Sequence, residues 1–148
     1  MTRSLCQIED GRSETLCTLA IDRLDGRAHG LGMPVLWHLA LRRYGPAMGE
    51  LATRFDDGGP IANPFSSRGL AYRAFKLGEI WAAQNLAMQH FNRNDLQGYR
   101  YWLHRAARAG DEEARMMLKR FETRLPHGAA GDIGRKRPYD RREKLSFI

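Results

Sequence analysis

The five histidines, His29, His38, His90, His104 and His127, are the side chains best suited to metal binding or proton transfer near neutral pH. They are scattered, and no two stand in an HExxH or comparable ligand spacing, so the pattern assigns no metal site and no cofactor. His38 and His104 lie beside Trp37 and Trp102 in corresponding helices, which marks a repeat-derived surface position. Asp56-Asp57-Gly58-Gly59 has paired acids but lacks the alternating oxygens and closing Glu of a calcium loop, and reads as a solvated turn. Glu112 and Glu113 are adjacent at a helix start, where they favour the positive end of the dipole and cannot converge on one substrate bond. Cys6 and Cys17 form neither a CxxC nor a zinc spacing and read as free thiols. No residue set suits nucleophilic or acid–base catalysis, so the sequence assigns no catalytic residue and points away from an enzyme.

Charge is the second source of chemistry. The chain has 24 basic and 17 acidic residues, a net charge of +7, and only four of the bases are lysine. Arginine grips phosphates bidentately and stacks on bases, which supports an alternative function as a nucleic-acid-associated protein. GC-rich coding gives the same arginine bias with no ligand at all. The last 22 residues, 127–148, are a basic stretch broken by glycine and proline, and a largely extended tail is expected over 126–148. There Arg135, Lys136, Arg137, Arg141 and Arg142 are candidates for binding phosphates or an acidic partner, against the plainer reading of a solvated tail. The apolar end, Leu145-Ser-Phe-Ile148, could dock back onto the folded part. No run approaches the roughly 18–20 apolar residues of a membrane span, and Met1–Gly11 has no signal-peptide core. The expected location is the cytoplasm, with the oligomeric state left open.

These residues must be positioned by helices, because no segment reads convincingly as a strand. Leu16, Leu19, Ala20 and Leu24 recur at helical spacing after Ser13, a suitable N-cap, whereas 1–12 reads as a flexible N-terminus. Further helices are predicted from Pro34 to Tyr44, from Pro46 to Phe55, from Ser66 or Ser67 to Gly78, from Glu79 to Phe91, from Asp95 to Gly110 and from Asp111 to Arg124. The domain they form spans 13–125.

Gly45, Gly78 and Gly110 repeat at a spacing near 33 residues, the mark of stacked supersecondary units. Trp37, Leu70 and Trp102 stand eight residues before them, Leu41, Ala74 and Ala106 four before, and Gly49, Ala82 and Ala114 four after. Each glycine reads as the joint where one helix ends in a left-handed turn and the next begins. The third copy, with Trp102, Ala106, Ala107, Gly110, Ala114 and Leu118, resembles a Sel1-like repeat, a relative of the tetratricopeptide repeat found in bacteria and eukaryotes. The copy at Gly78 matches less fully, and the one at Gly45 is degenerate.

The resemblance implies an all-α fold of about seven helices, a short right-handed α-solenoid whose concave groove holds a protein or peptide. The function so expected is a non-enzymatic adaptor or regulator that binds one partner, an inhibitor or immunity-type protein being a special case. Trp81, with Gln84, Asn85 and Met88, makes a mixed aromatic and amide surface on a helix expected to line that groove. Trp81, Gln84, Asn85 and Arg54 are the candidate partner contacts.

Overall fold

The computed structural model describes residues 5–55 and 59–124, and all regular structure among them is helical. Seven helices follow one another: α1 (Leu5–Leu24), α2 (Met33–Leu41), α3 (Gly45–Arg54), α4 (Ser67–Lys76), α5 (Trp81–Asn92), α6 (Leu96–Arg108) and α7 (Glu112–Arg124). The extensive helix–helix contacts run between consecutive elements, from α1 on α2 through to α6 on α7. No helix among the described residues is long and apolar enough to cross a membrane. The basic stretch over 126–148, with its five candidate cations, lies outside the described residues, as does Asp56-Asp57-Gly58.

Local chemistry sets the helix ends. Ser66 precedes α4, and its hydroxyl oxygen accepts from the Gly69 amide at 3.0 Å. Asp95 caps α6 in the same way through the Gly98 amide at 3.0 Å, and Asp111 caps α7 through the Ala114 amide. The chain between α3 and α4 is tied to α4: Arg68 Nε donates to the Gly59 carbonyl and Arg73 to that of Ile61.

α1 departs from the expectation. It starts at Leu5, so 5–12 is helical rather than flexible, and Ser13 lies inside the helix instead of capping it. Its interior polar groups turn back onto the backbone, Thr15 donating to the Gly11 carbonyl and Thr18 to that of Glu14. Gly11 and a sparse apolar stripe hid this first half.

Four helices end in one and the same turn. A residue with positive φ follows each: Arg43 (62°) after α2, Gly78 (105°) after α4, Asn94 (58°) after α5 and Gly110 (108°) after α6. The amide of the following residue reaches back five positions, Tyr44 to Leu39 (3.0 Å), Glu79 to Ala74 (3.0 Å), Asp95 to His90 (2.9 Å) and Asp111 to Ala106 (3.1 Å). The positive-φ residue itself donates three positions back in every case. This bond pair satisfies carbonyls that a helix end would otherwise leave open.

The turn also corrects the repeat register. Gly45 does not end α2; it is the first residue of α3, and Arg43 takes the place that Gly78 and Gly110 hold in the later copies. Counting from Arg43, the residue four before is Leu39, not Leu41, and matches Ala74 and Ala106 in burial. The residue four after is Ala47, not Gly49, and Ala47, Ala82 and Ala114 are all fully buried. Eight after come Leu51 and Leu86, both fully buried, and Leu118, which is partly buried. Trp37 likewise gives way to Val35 as the counterpart of Leu70 and Trp102. Inside, the first copy shares the buried positions four before, four after and eight after the joint, while Val35 is only half-buried where Leu70 and Trp102 are buried.

These positions build the core. Leu36, Leu51, Leu70, Leu86 and Leu103 are fully buried, and each contributes about 1.5–3 kcal/mol by leaving water. The interleaved alanines let backbones approach. Aromatic pairs close the flanks: Trp37 meets Phe55 and Phe65, and Tyr99 meets Phe91 and Phe121.

Nothing lies within 4 Å of a Cβ added at Gly110, so the need for glycine there is purely conformational. Gly110→Ala is expected to destabilise by about 1 kcal/mol, the cost of a left-handed alanine. Urea unfolding followed by circular dichroism measures it. No change in the midpoint would show that this turn does not constrain α6 and α7.

Candidate functional site

The residues expected to contact a partner divide between two places. Trp81, Asn85 and Met88 stand at i, i+4 and i+7 on α5 and so share one face. The Trp81 indole donates from Nε1 to Glu79 Oε2 at 3.0 Å, and its far edge lies over Gly49 of α3, where any Cβ would overlap the ring. Gly49 is thus a seat for Trp81 rather than a repeat-derived small residue. Even seated, Trp81 remains 38% exposed and Met88 37%. Gln84 bridges to α7, its Nε2 lying 3.5 Å from the Met117 sulfur. The Asn85 side-chain nitrogen and the Gln89 side-chain oxygen are buried with no hydrogen-bond partner.

Arg54 belongs to a separate ion network. Its guanidinium donates to Asp25 at the end of α1 (2.9 Å) and to Glu50 one turn back in α3 (2.7 Å). Asp25 also meets Arg27, which pairs with Asp22. The hydrogen bond from Arg54, helped by the two positive charges, holds the Asp25 carboxyl below its ordinary range, and both arginines are held further in their charged form. Arg54 fastens α3 to the end of α1.

One constellation was not picked out from the sequence. His90 is 1% exposed and stands between two partners. The Trp102 indole donates to His90 Nε2 at 3.1 Å, so the ring proton sits on Nδ1 and is donated to Asp95 Oδ2 at 3.0 Å. The other oxygen of Asp95 is the α6 cap already described, and the ring lies so close to Gly98 that a Cβ there would overlap it. A carboxylate–imidazole pair resembles half of an acid–base triad. Here the third member is an indole, which is no nucleophile, and the ring is sealed from substrate. The arrangement locks the end of α5 to the first half of α6. Asp95 as a cap and Trp102 as a repeat position were both legible; the histidine joining them was not, because its partners lie 5 and 12 residues away.

Beside Trp102, the Arg105 guanidinium lies 5.0 Å from that ring and 5.1 Å from the Phe75 ring, a cation held by aromatic faces. Cys17 is buried, and burial, followed by the charges of Glu50 and Glu79, pushes its thiol up, away from the reactive thiolate. Among the described residues no three His, Cys, Asp or Glu side chains gather as metal ligands would.

Two measurements test these networks. Trp102→Phe strands His90 Nε2 in the core and is expected to cost about 1–3 kcal/mol beyond the lost ring area. A double-mutant cycle with His90→Leu should return a coupling energy of that order, and additive losses would deny the bond. For the ion network the sign follows from the lowered Asp25: its contribution is full above the ordinary carboxylate range near pH ~4 and is lost as pH falls through the folded-state value. Arg54→Met should therefore be less stable than the parent at pH 7, with the gap closing on acidification, and its Asp25 should titrate higher by carbon-detected NMR. An unmoved Asp25 titration would refute the clamp.

A scan of family models and searches of curated proteins and of solved structures find no match to this chain, so its own geometry is the ground for a functional reading.

Proposed function

We propose that this chain is a non-enzymatic interaction protein, a short right-handed α-solenoid of Sel1-like repeats that receives one protein or peptide partner along α5. The supporting observation is the α5 face itself, where exposed Trp81 and Met88 flank Asn85, whose side-chain nitrogen has no partner. Leu77 and Ile80, just before α5, add exposed apolar area. Aromatic and thioether groups supply binding energy in a surface patch. The corrected register is the second support. Three copies sharing a fully buried alanine, two of them also a buried leucine, fit a repeat scaffold in which each unit covers its neighbour and leaves one face free. Arg54 serves this scaffold by fixing α3, and its part in recognition is indirect. The cytoplasm is the proposed location.

Met88→Ala separates recognition from folding. It shortens a side chain that is 37% exposed, so stability should hold. Trp81→Ala should cost some stability over Gly49 and weaken a partner about tenfold or more. Each chain, immobilised and washed at high salt, would be compared by quantitative mass spectrometry of what it retains. The reading expects a protein held by the parent and lost from both variants. Equal retention by all three chains would sink it.

A further inference from the structure

A second site lies away from α5 and goes beyond the adaptor reading. Between α1 and α2 opens a cleft of about 570 Å³, lined by Arg12, Ser13, His38, Arg42, Arg43 and Tyr44 among others. Three guanidiniums and an imidazole face it, and among the described residues no carboxylate lines it. From these groups we infer that the cleft binds a small organic anion carrying two or more phosphate groups, of about the size of a nucleoside diphosphate.

The distribution of charge carries this inference. Elsewhere many of the arginines are occupied, Arg27, Arg54 and Arg115 by carboxylates, Arg73 by carbonyl oxygens and Arg105 by aromatic rings, although Arg108 at the end of α6 is not. Within the described residues, Arg12, His38, Arg42 and Arg43 have no hydrogen-bond or ion-pair partner for their side chains. Four unpartnered cationic or protonatable groups facing one cleft repel one another, and a polyanion removes that repulsion. The negative end of α2 favours cations and accounts in part for Arg42 and Arg43. It does not account for Arg12 and Ser13, which come from α1.

Backbone conformation is an independent observation. Arg43 holds φ at 62° in the turn where both later copies use glycine, a conformation an L-residue adopts at a cost. Its side chain is exposed and forms no hydrogen bond or ion pair within the described residues that would offset this. Strain of this kind gathers where a side chain is needed for something other than the fold. The cleft volume falls within the roughly 300–1,000 Å³ of small-molecule pockets, and forked guanidiniums match phosphate oxygens bidentately. A nucleic-acid strand would need the free charge to continue along the surface. Arg27 and Arg54, at the far end of α1, are already neutralised.

Isothermal titration of the full chain with pyrophosphate, ADP and AMP at about 50 mM salt tests the inference. Expected are micromolar to submillimolar binding of pyrophosphate and ADP, and binding of AMP weaker by about tenfold, the loss of one charge-assisted phosphate contact. Arg12→Gln and Arg43→Gly should each weaken ADP by about tenfold or more. Arg43→Gly also relieves the left-handed arginine, so its melting temperature should equal or exceed the parent's, which rules out damage to the fold as the cause. Neutralising the tail with R135Q, K136Q and R137Q together should leave ADP affinity unchanged. The inference fails if neither pyrophosphate nor ADP binds, if the two cleft variants bind like the parent, or if affinity follows the tail. It also fails if a single-stranded oligonucleotide binds through Arg12 and Arg43 and ADP does not displace it.

Discussion

The bond pair that closes α2, α4, α5 and α6 is the constraint on which the rest of the molecule depends, because it turns a helix end into a fixed angle. In each case one residue takes a positive φ, the amide after it returns to the carbonyl five positions back, and the next helix begins within a few residues. A turn so short leaves the following helix little freedom of offset. The residues four places beyond the joint therefore fall into the core, as Ala47, Ala82 and Ala114 do, and Leu51 and Leu86 follow eight places beyond, with Leu118 only partly buried. Packing between neighbouring helices then follows from backbone geometry, with small residues where the chains must approach.

How much of this could be read from the sequence depended on the residue that occupies the turn. Gly78 and Gly110 announce themselves, and around them the helices, joints and buried alanines were all legible. At the first joint the turn residue is arginine, which carries no such signal, and Gly45 two positions later drew the alignment to itself. Trp37 reinforced the error because it sat at the spacing expected of Trp102, although its rings of contact are Phe55 and Phe65. The first half of α1 was lost for another reason: a glycine and a thin apolar stripe gave no periodicity to count. The proposed contact residues were half legible. The face formed by Trp81, Asn85 and Met88 follows from helical spacing alone, but the seat of Trp81 on Gly49 and the capture of Arg54 by Asp25 are long-range facts.

The polar interior obeys the same economy. His90, Asp95 and Trp102 satisfy one another while Asp95 also caps α6, so one carboxylate serves two elements. A buried imidazole paired with a carboxylate is costly unless both nitrogens are engaged, and here both are. This is why a constellation with the outline of catalysis acts instead as a fastening. The α5 face differs in the relevant respect. Its Asn85 nitrogen and Gln89 oxygen have no partner in the fold.

Asn94 and Arg43 make the last comparison. Both are non-glycine residues at positive φ in otherwise identical turns. Asparagine visits that conformation at modest cost because its short polar side chain can bond locally, and its presence needs no special cause. Arginine has no such compensation: its guanidinium is too distant from its own backbone to favour the turn, and glycine in the two equivalent joints shows what the scaffold alone prefers. The fold would lose nothing from glycine at position 43. What it would lose is one of three cations facing a cleft that no acid lines among the described residues, and that is a property of binding rather than of folding.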